Sequence, residues 1–174
     1  GDGTADLVVA QEWGSIRVFL NRDGVFEDAT QEMGLNKYNG LWQCAHLADV
    51  NGDGRMDIVA GNFGANTVYA MYRLPVRLAY LDSPDSGTVS AFEFHYDKGL
   101  DEWFPTRKYS EAITVFPSMA HRIQTSRRYA SVNMEQILGD EFKSFKHREI
   151  NFLTSVIFLN EGGTFSVQVL PDEI

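Results

Sequence analysis

The chain has 174 residues, 44% of them hydrophobic and 13% aromatic, which is enough apolar side chain for one ordinary core and excludes a disordered polymer. Its formal charge of −9 argues against bulk electrostatic affinity for nucleic acid or an anionic membrane, and no run of about 18 apolar residues could span a bilayer. A single cysteine, Cys44, leaves no internal disulfide and reads as a buried strand residue.

The sequence opens Gly1-Asp2-Gly3-Thr4-Ala5-Asp6-Leu7-Val8-Val9-Ala10, and Gly52-Asp53-Gly54-Arg55-Met56-Asp57-Ile58-Val59-Ala60 repeats it at an offset of 51. Asp2, Thr4 and Asp6 therefore match the last part of a metal-binding loop whose first positions would precede residue 1, and the chain is expected to be a piece of a longer protein. Two apolar runs, Ile16 to Asn21 and Val25 to Thr30, flank Arg22-Asp23-Gly24 and predict a β-hairpin.

The next element is the most informative. Asp49-Val50-Asn51-Gly52-Asp53-Gly54-Arg55-Met56-Asp57 places side-chain oxygens at loop positions 1, 3, 5 and 9. Calcium takes six to eight oxygens at roughly 2.3 to 2.6 Å, so it favours closely spaced carboxylates and amides plus a backbone carbonyl. Asp49, Asn51, Asp53 and Asp57 supply side chains, Arg55 its carbonyl, and Gly54 the sharp turn. An EF-hand would need Glu at position 12 and flanking helices, but position 12 is Ala60 and the flanks are short apolar runs typical of strands.

A weaker copy of the loop begins at Asp82, with Pro84, Ser86, Gly87 and Ser90 at positions 3, 5, 6 and 9. It is expected to hold no calcium, since one carboxylate cannot replace an ion's water shell. Ala91 to Tyr96 alternates as a half-buried strand, and Asp97, Asp101 and Glu102 read as an exposed turn rather than a paired-carboxylate site. From Thr106 to Ile150 helical signals take over. Ser110 and Asn133 are candidate N-caps, Gln136 completes a capping box, Gly139 is a terminator, and the basic residues of the chain concentrate here. A second hairpin, Val156 to Asn160 and Thr164 to Leu170, closes the sequence.

Strand, calcium loop, strand and hairpin, with Gly61-Asn62-Phe63-Gly64-Ala65-Asn66 after the loop, resemble the FG-GAP/VCBS repeats of integrin-like β-propellers, related to ASPIC/UnbV and cartilage acidic protein-type proteins. The resemblance implies a mainly β fold: an incomplete β-propeller of two to three four-stranded blades with a small helical insertion. The blades would span about 1–40, 41–74, and 75–105 with 151–174, the insertion being 106–150. Exposed blade edges would be paired with further sequence or another chain.

It also implies a non-enzymatic, calcium-stabilised module that is extracellular, periplasmic or at the cell surface. Its partner would be a protein or carbohydrate, with no nucleic acid and no membrane span. No HExxH, GxSxG or P-loop is present, and the four histidines are scattered. The alternative is a fragment of a propeller-type carbohydrate-active enzyme, such as a polysaccharide lyase.

Overall fold

The repeat read from the sequence returns as strand register. The computed structural model describes residues 3–83 and 87–170. In chain order the strands are β1 (Leu7–Val9), β2 (Glu12–Gly14), β3 (Arg17–Arg22), β4 (Val25–Asp28), β5 (Gly40–Ala48), β6 (Asp57–Asn62), β7 (Val76–Ser83), β8 (Thr88–Asp97) and β9 (Glu102–Pro105). Then come helices α1 (Tyr109–Val115), α2 (Met119–Arg122), α3 (Ser126–Tyr129) and α4 (Met134–Leu138), followed by β10 (Lys146–Ile150), β11 (Val156–Asn160) and β12 (Phe165–Val169). The fold is mainly β, with several antiparallel sheets and, among the described residues, no closed barrel, as in part of a β-propeller. Two packing units divide the chain, residues 1–70 with 150–174, and residues 71–149.

The first unit holds two sheets, β1-β3-β4 and β12-β11-β6-β5-β2. β1 pairs with β3 through Leu7↔Phe19, Val8↔Val18 and Val9↔Arg17, whereas β6 pairs with β11 through Ile58↔Phe158, Val59↔Ile157 and Ala60↔Val156. Adding 51 to the numbers of β1 and 139 to those of β3 converts one ladder into the other. The outer ladders agree too, Asn21↔Phe26 matching Asn160↔Phe165. The two repeats are thus the same piece of sheet, and the second carries a long excursion between its inner strands.

Burial explains why the last hairpin pairs where it does. Val156 and Phe158 are fully buried and share a core with Ile58, Ala60, Trp42 and Leu35, while the Trp42 ring lies 5.6 Å from Phe158 and 6.0 Å from Phe152. This corrects the expected blade boundaries: β11 and β12 complete the sheet of β5 and β6, not that of 75–105. In the β3–β4 turn Asp23 and Gly24 have φ of 53° and 88°, the left-handed pair that a two-residue hairpin requires.

Cys44 is also corrected, since it lies in β5 but is exposed. β5 and β6 pair as Trp42↔Asn62 and then Cys44↔Gly61, so a bulge between them breaks the alternation that would have carried Cys44 inward with Trp42.

The second unit is a four-stranded sheet, β10-β7-β8-β9, with its own core. Phe92 and Phe94 of β8 are fully buried against Ala112, Met119, Ile137 and Leu138 of the helices. Helical signals between Thr106 and Ile150 are met by α1–α4, although residues 146–150 form a strand. Asn133 caps α4 and forms the capping box with Gln136, and Gly139 ends it. Ser110 instead lies inside α1, whose N-cap is Lys108.

The copy expected at Asp82 is a different hairpin. Asp82 pairs with Val89 and Leu81 with Ser90 within one ladder, and Asp82 accepts a hydrogen bond from Lys146 Nζ at 2.8 Å. Pro84 and Ser86 lie outside the described residues. Asp97 and Glu102 face each other across the expected β8–β9 turn.

Candidate metal centre

The loop from Asp49 to Met56 joins β5 to β6 at the pair Ala48↔Asp57. Its turns follow from residue type. Gly52 and Gly54 sit at φ of 78° and 83°, a region closed to most side chains, and short Asx side chains hold the backbone between them. Asp49 Oδ1 accepts from the N–H of Gly52 at 2.7 Å and of Asp53 at 3.1 Å, and its Oδ2 accepts from Gly54 N–H at 2.9 Å. Asn51 Oδ1 accepts from Asp53 N–H at 3.0 Å, while its amide donates to Asp53 Oδ2 at 2.9 Å. The backbone N–H of Arg55 and then the Asn51 amide hold the Asp53 carboxyl below the usual carboxylate range.

Asp57 is the buried member, fully inaccessible to solvent. Its Oδ2 accepts from Val50 N–H at 3.0 Å, closing the loop on itself, and its Oδ1 accepts from Asn160 N–H at 2.8 Å. Asn160 returns the contact, donating through Nδ2 to Met56 O at 3.1 Å, and its carbonyl accepts from Arg55 Nε at 2.6 Å. The loop is therefore latched to the end of β11.

The first repeat carries the same latch. Asp6 Oδ1 accepts from Asn21 N–H at 3.0 Å, Asn21 Nδ2 donates to Ala5 O at 3.2 Å, and Thr4 Oγ1 donates to Asn21 O at 3.0 Å. Thr4, Ala5, Asp6 and Asn21 stand for Arg55, Met56, Asp57 and Asn160. Asp2 lies outside the described residues. Asn21 and Asn160 were absent from the sequence-derived ligand set, though the Phe-Leu-Asn shared by residues 19–21 and 158–160 marks them.

Comparison with known families finds a match over this segment: residues 1–60 are similar to the FG-GAP-like repeat. This first third of the chain is FG-GAP-like. The match takes in the first repeat and the whole loop of the second, and residues 61–174 lie outside it. Neither the curated proteins nor the solved structures contain a match to the chain.

In donor chemistry the FG-GAP-like loop fits a hard divalent cation, with three carboxylates, one amide and one carbonyl within nine residues. Carboxylate oxygens that accept one N–H keep a second lone pair. Among the described residues, however, no three Asp, Glu, His or Cys side chains are gathered at metal-binding distance. The carboxylates are instead directed at the backbone N–H groups that shape the loop.

Asn62, the buried last residue of β6, does a related job. Its Oδ1 accepts from Leu41 N–H at 3.2 Å and Gly64 N–H at 2.9 Å, and its Nδ2 donates to Phe152 O at 3.1 Å. Ala65 N–H donates to Leu153 O at 3.0 Å, so the chain leaving β6 and the chain returning to β11 are tied side by side. No helix among the described residues is long and apolar enough to cross a membrane.

Proposed function

We propose that the chain is a calcium-stabilised, non-enzymatic binding module of the propeller type, serving adhesion or recognition of a protein or carbohydrate outside the cytoplasm. The observation that carries this reading is the latch of Asp57 to Asn160, because it makes the calcium loop part of the sheet rather than an appendage. Asp49, Asn51, Asp53, the Arg55 carbonyl and Asp57 would hold the ion. A bound calcium would neutralise three carboxylates that otherwise repel one another in a short loop. Asp2, Thr4 and Asp6 would belong to a second such site.

The binding role is supported by architecture. Two sheet units leave edge strands β4 and β12 for further partners. Millimolar calcium would saturate even a weak loop of this type, which favours an extracellular, periplasmic or surface setting. Thermal melts of wild type and Asp53→Ala, each with calcium and with chelator, test the proposal. A ligand bound only by the native state at about a hundred times its dissociation constant adds roughly 2.7 kcal/mol. Calcium should raise the wild-type melting temperature and leave Asp53→Ala nearly unmoved; four equal melting temperatures would reject it.

A further inference from the structure

The second unit contains a recess that nothing about the calcium loop explains. Two cavities, of about 400 Å3 and about 280 Å3, share His95 and Asp97 in their walls and so adjoin. The larger falls within the roughly 300–1,000 Å3 typical of small-ligand sites.

Charge distinguishes this recess from the rest of an acidic chain. Arg107 and Lys108 line the larger cavity, Arg73 and Lys98 the smaller, and Asp97 is the one acidic residue in either wall among the described residues. Asp97 is already engaged, its Oδ1 accepting from the N–H of Gly99 at 2.8 Å and of Leu100 at 3.1 Å. Arg107 reaches Glu93 only at 3.4 Å. The side chains of Arg73, Lys98 and Lys108 have no ion-pair or hydrogen-bond partner among the described residues. Unpaired cations on a protein of charge −9 focus a local positive potential where an anion would bind.

Rings supply the second half of the surface. Tyr72 stacks on His95 with centroids 4.6 Å apart, and Phe104 lies 6.3 Å from the same imidazole. His95 Nδ1 is buried and makes no hydrogen bond among the described residues, and a buried polar atom without a partner carries a cost that a ligand hydroxyl would remove once the rings beside it part to admit it. Flat rings, an unsatisfied imidazole nitrogen and spaced cations suit a chain of hydroxylated rings bearing acidic groups.

We propose that the recess around His95 is a binding site for an acidic saccharide, the two adjoining cavities taking successive sugar rings and the Arg and Lys side chains their carboxylate or sulfate groups. An acidic peptide would use the cations but would leave the ring faces and His95 Nδ1 without a purpose. The inference rests on the reading of the chain as a binding module, and it names a site whose residues are all separate in sequence from the calcium loop.

Calorimetric titration of the whole chain with a uronate trisaccharide, its neutral counterpart, a sulfated disaccharide and an oligoglutamate tests it. Each titration is repeated in chelator, with a thermal melt of every sample to establish that it is folded. Saturable binding of the uronate or the sulfated sugar is expected, the tighter of the two naming the acidic group, with no binding of the neutral sugar. Lys108→Glu should weaken it about tenfold and Arg73→Glu/Lys108→Glu further, both substitutions being at exposed side chains that hold no structural contact.

Folded wild type that binds neither acidic sugar, or binds the neutral one equally, overturns the proposal. So does unchanged affinity in the double variant, or tighter binding of oligoglutamate. Binding that persists while melts show no effect of calcium would leave this site standing and reject the calcium reading; calcium-dependent melts without sugar binding would do the reverse.

Discussion

Asp57 and Asn160 are 103 residues apart in the chain, yet Asp57 Oδ1 accepts the Asn160 backbone N–H at 2.8 Å and the Asn160 amide donates to the neighbouring Met56 carbonyl at 3.1 Å. Asp6 and Asn21 make the same pair across only 15 residues. The chain between the partners is immaterial to the latch, which depends on the strand end and the loop end meeting in one register. Asn160→Ala removes the donor to Met56 and the acceptor for Gly162 N–H, at 2.9 Å. It should lower unfolding free energy by about 1–3 kcal/mol, measured by urea denaturation. Asn21→Ala should cost a similar amount, and two variants indistinguishable from wild type would show the latch to be incidental.

Acid should weaken the second unit before it weakens the loop. Burial pushes the pKa of His95 down, and partial desolvation followed by the Arg77 cation does the same for His147, which is more exposed on β10 and therefore weighs less, both from an ordinary 6.5. The folded state therefore favours neutral imidazoles, and the unfolded chain binds more protons as pH falls through 6.5. Stability should be full above about pH 6.5 and decline below it. Asp28 lies far from this window, since its bonds to Thr30 and Arg17 bring its pKa to about 2. Urea midpoints at pH 7.5, 6.5 and 5.5 should fall in wild type and fall less in His95→Gln and His147→Gln; a flat profile in wild type would refute the assignment.

Much of this architecture was legible in the residues. The Asp-Gly punctuation at 51-residue spacing, the paired hairpins and the Asn133–Gln136 cap all rest on local chemistry, and local chemistry survives folding. What could not be read was partner choice. Val156 and Phe158 are compatible with any sheet by pattern, and only a core that already contains Trp42 and Ile58 selects β6. The same limit hid Cys44, because a bulge is set by the opposing strand and not by its own sequence. It also hid Asn160, whose role exists only once Asp57 is beside it.

Separate cores imply separate folding. Phe92, Phe94, Met119, Ile137 and Leu138 are closed among themselves, and Arg77 links β7 to β10 by donating to Glu149 from Nε at 2.8 Å while lying 3.9 Å over the Trp103 ring. A protein comprising residues 71–149 alone should unfold in one cooperative transition, at the same temperature with calcium or with chelator. Circular dichroism melts would show it, and a chain without a transition would mean that this core needs the rest of the protein.

The most discriminating substitution is Asp57→Asn, which changes one atom and leaves the volume. Both carboxylate oxygens accept backbone N–H groups, from Val50 and Asn160, and the side chain is wholly buried. An amide offers one oxygen, so its NH2 must face a donor, and a buried N–H loses its acceptor. The expected loss is about 1–3 kcal/mol with calcium chelated as well as with calcium present, because the hydrogen bonds act whether or not an ion is bound. Asp53→Asn differs. Asp53 retains 24% side-chain exposure and its Oδ2 accepts from the Arg55 guanidinium at 2.6 Å, so water can replace what the amide fails to accept. Its stability in chelator should stay within about 0.5 kcal/mol of wild type, as for ordinary surface substitutions, and its deficit should open only when calcium is added. Urea denaturation of wild type and the two variants in both conditions separates a carboxylate that shapes the loop from one that serves a cation. Equal losses in chelator for Asp57→Asn and Asp53→Asn would contradict that division.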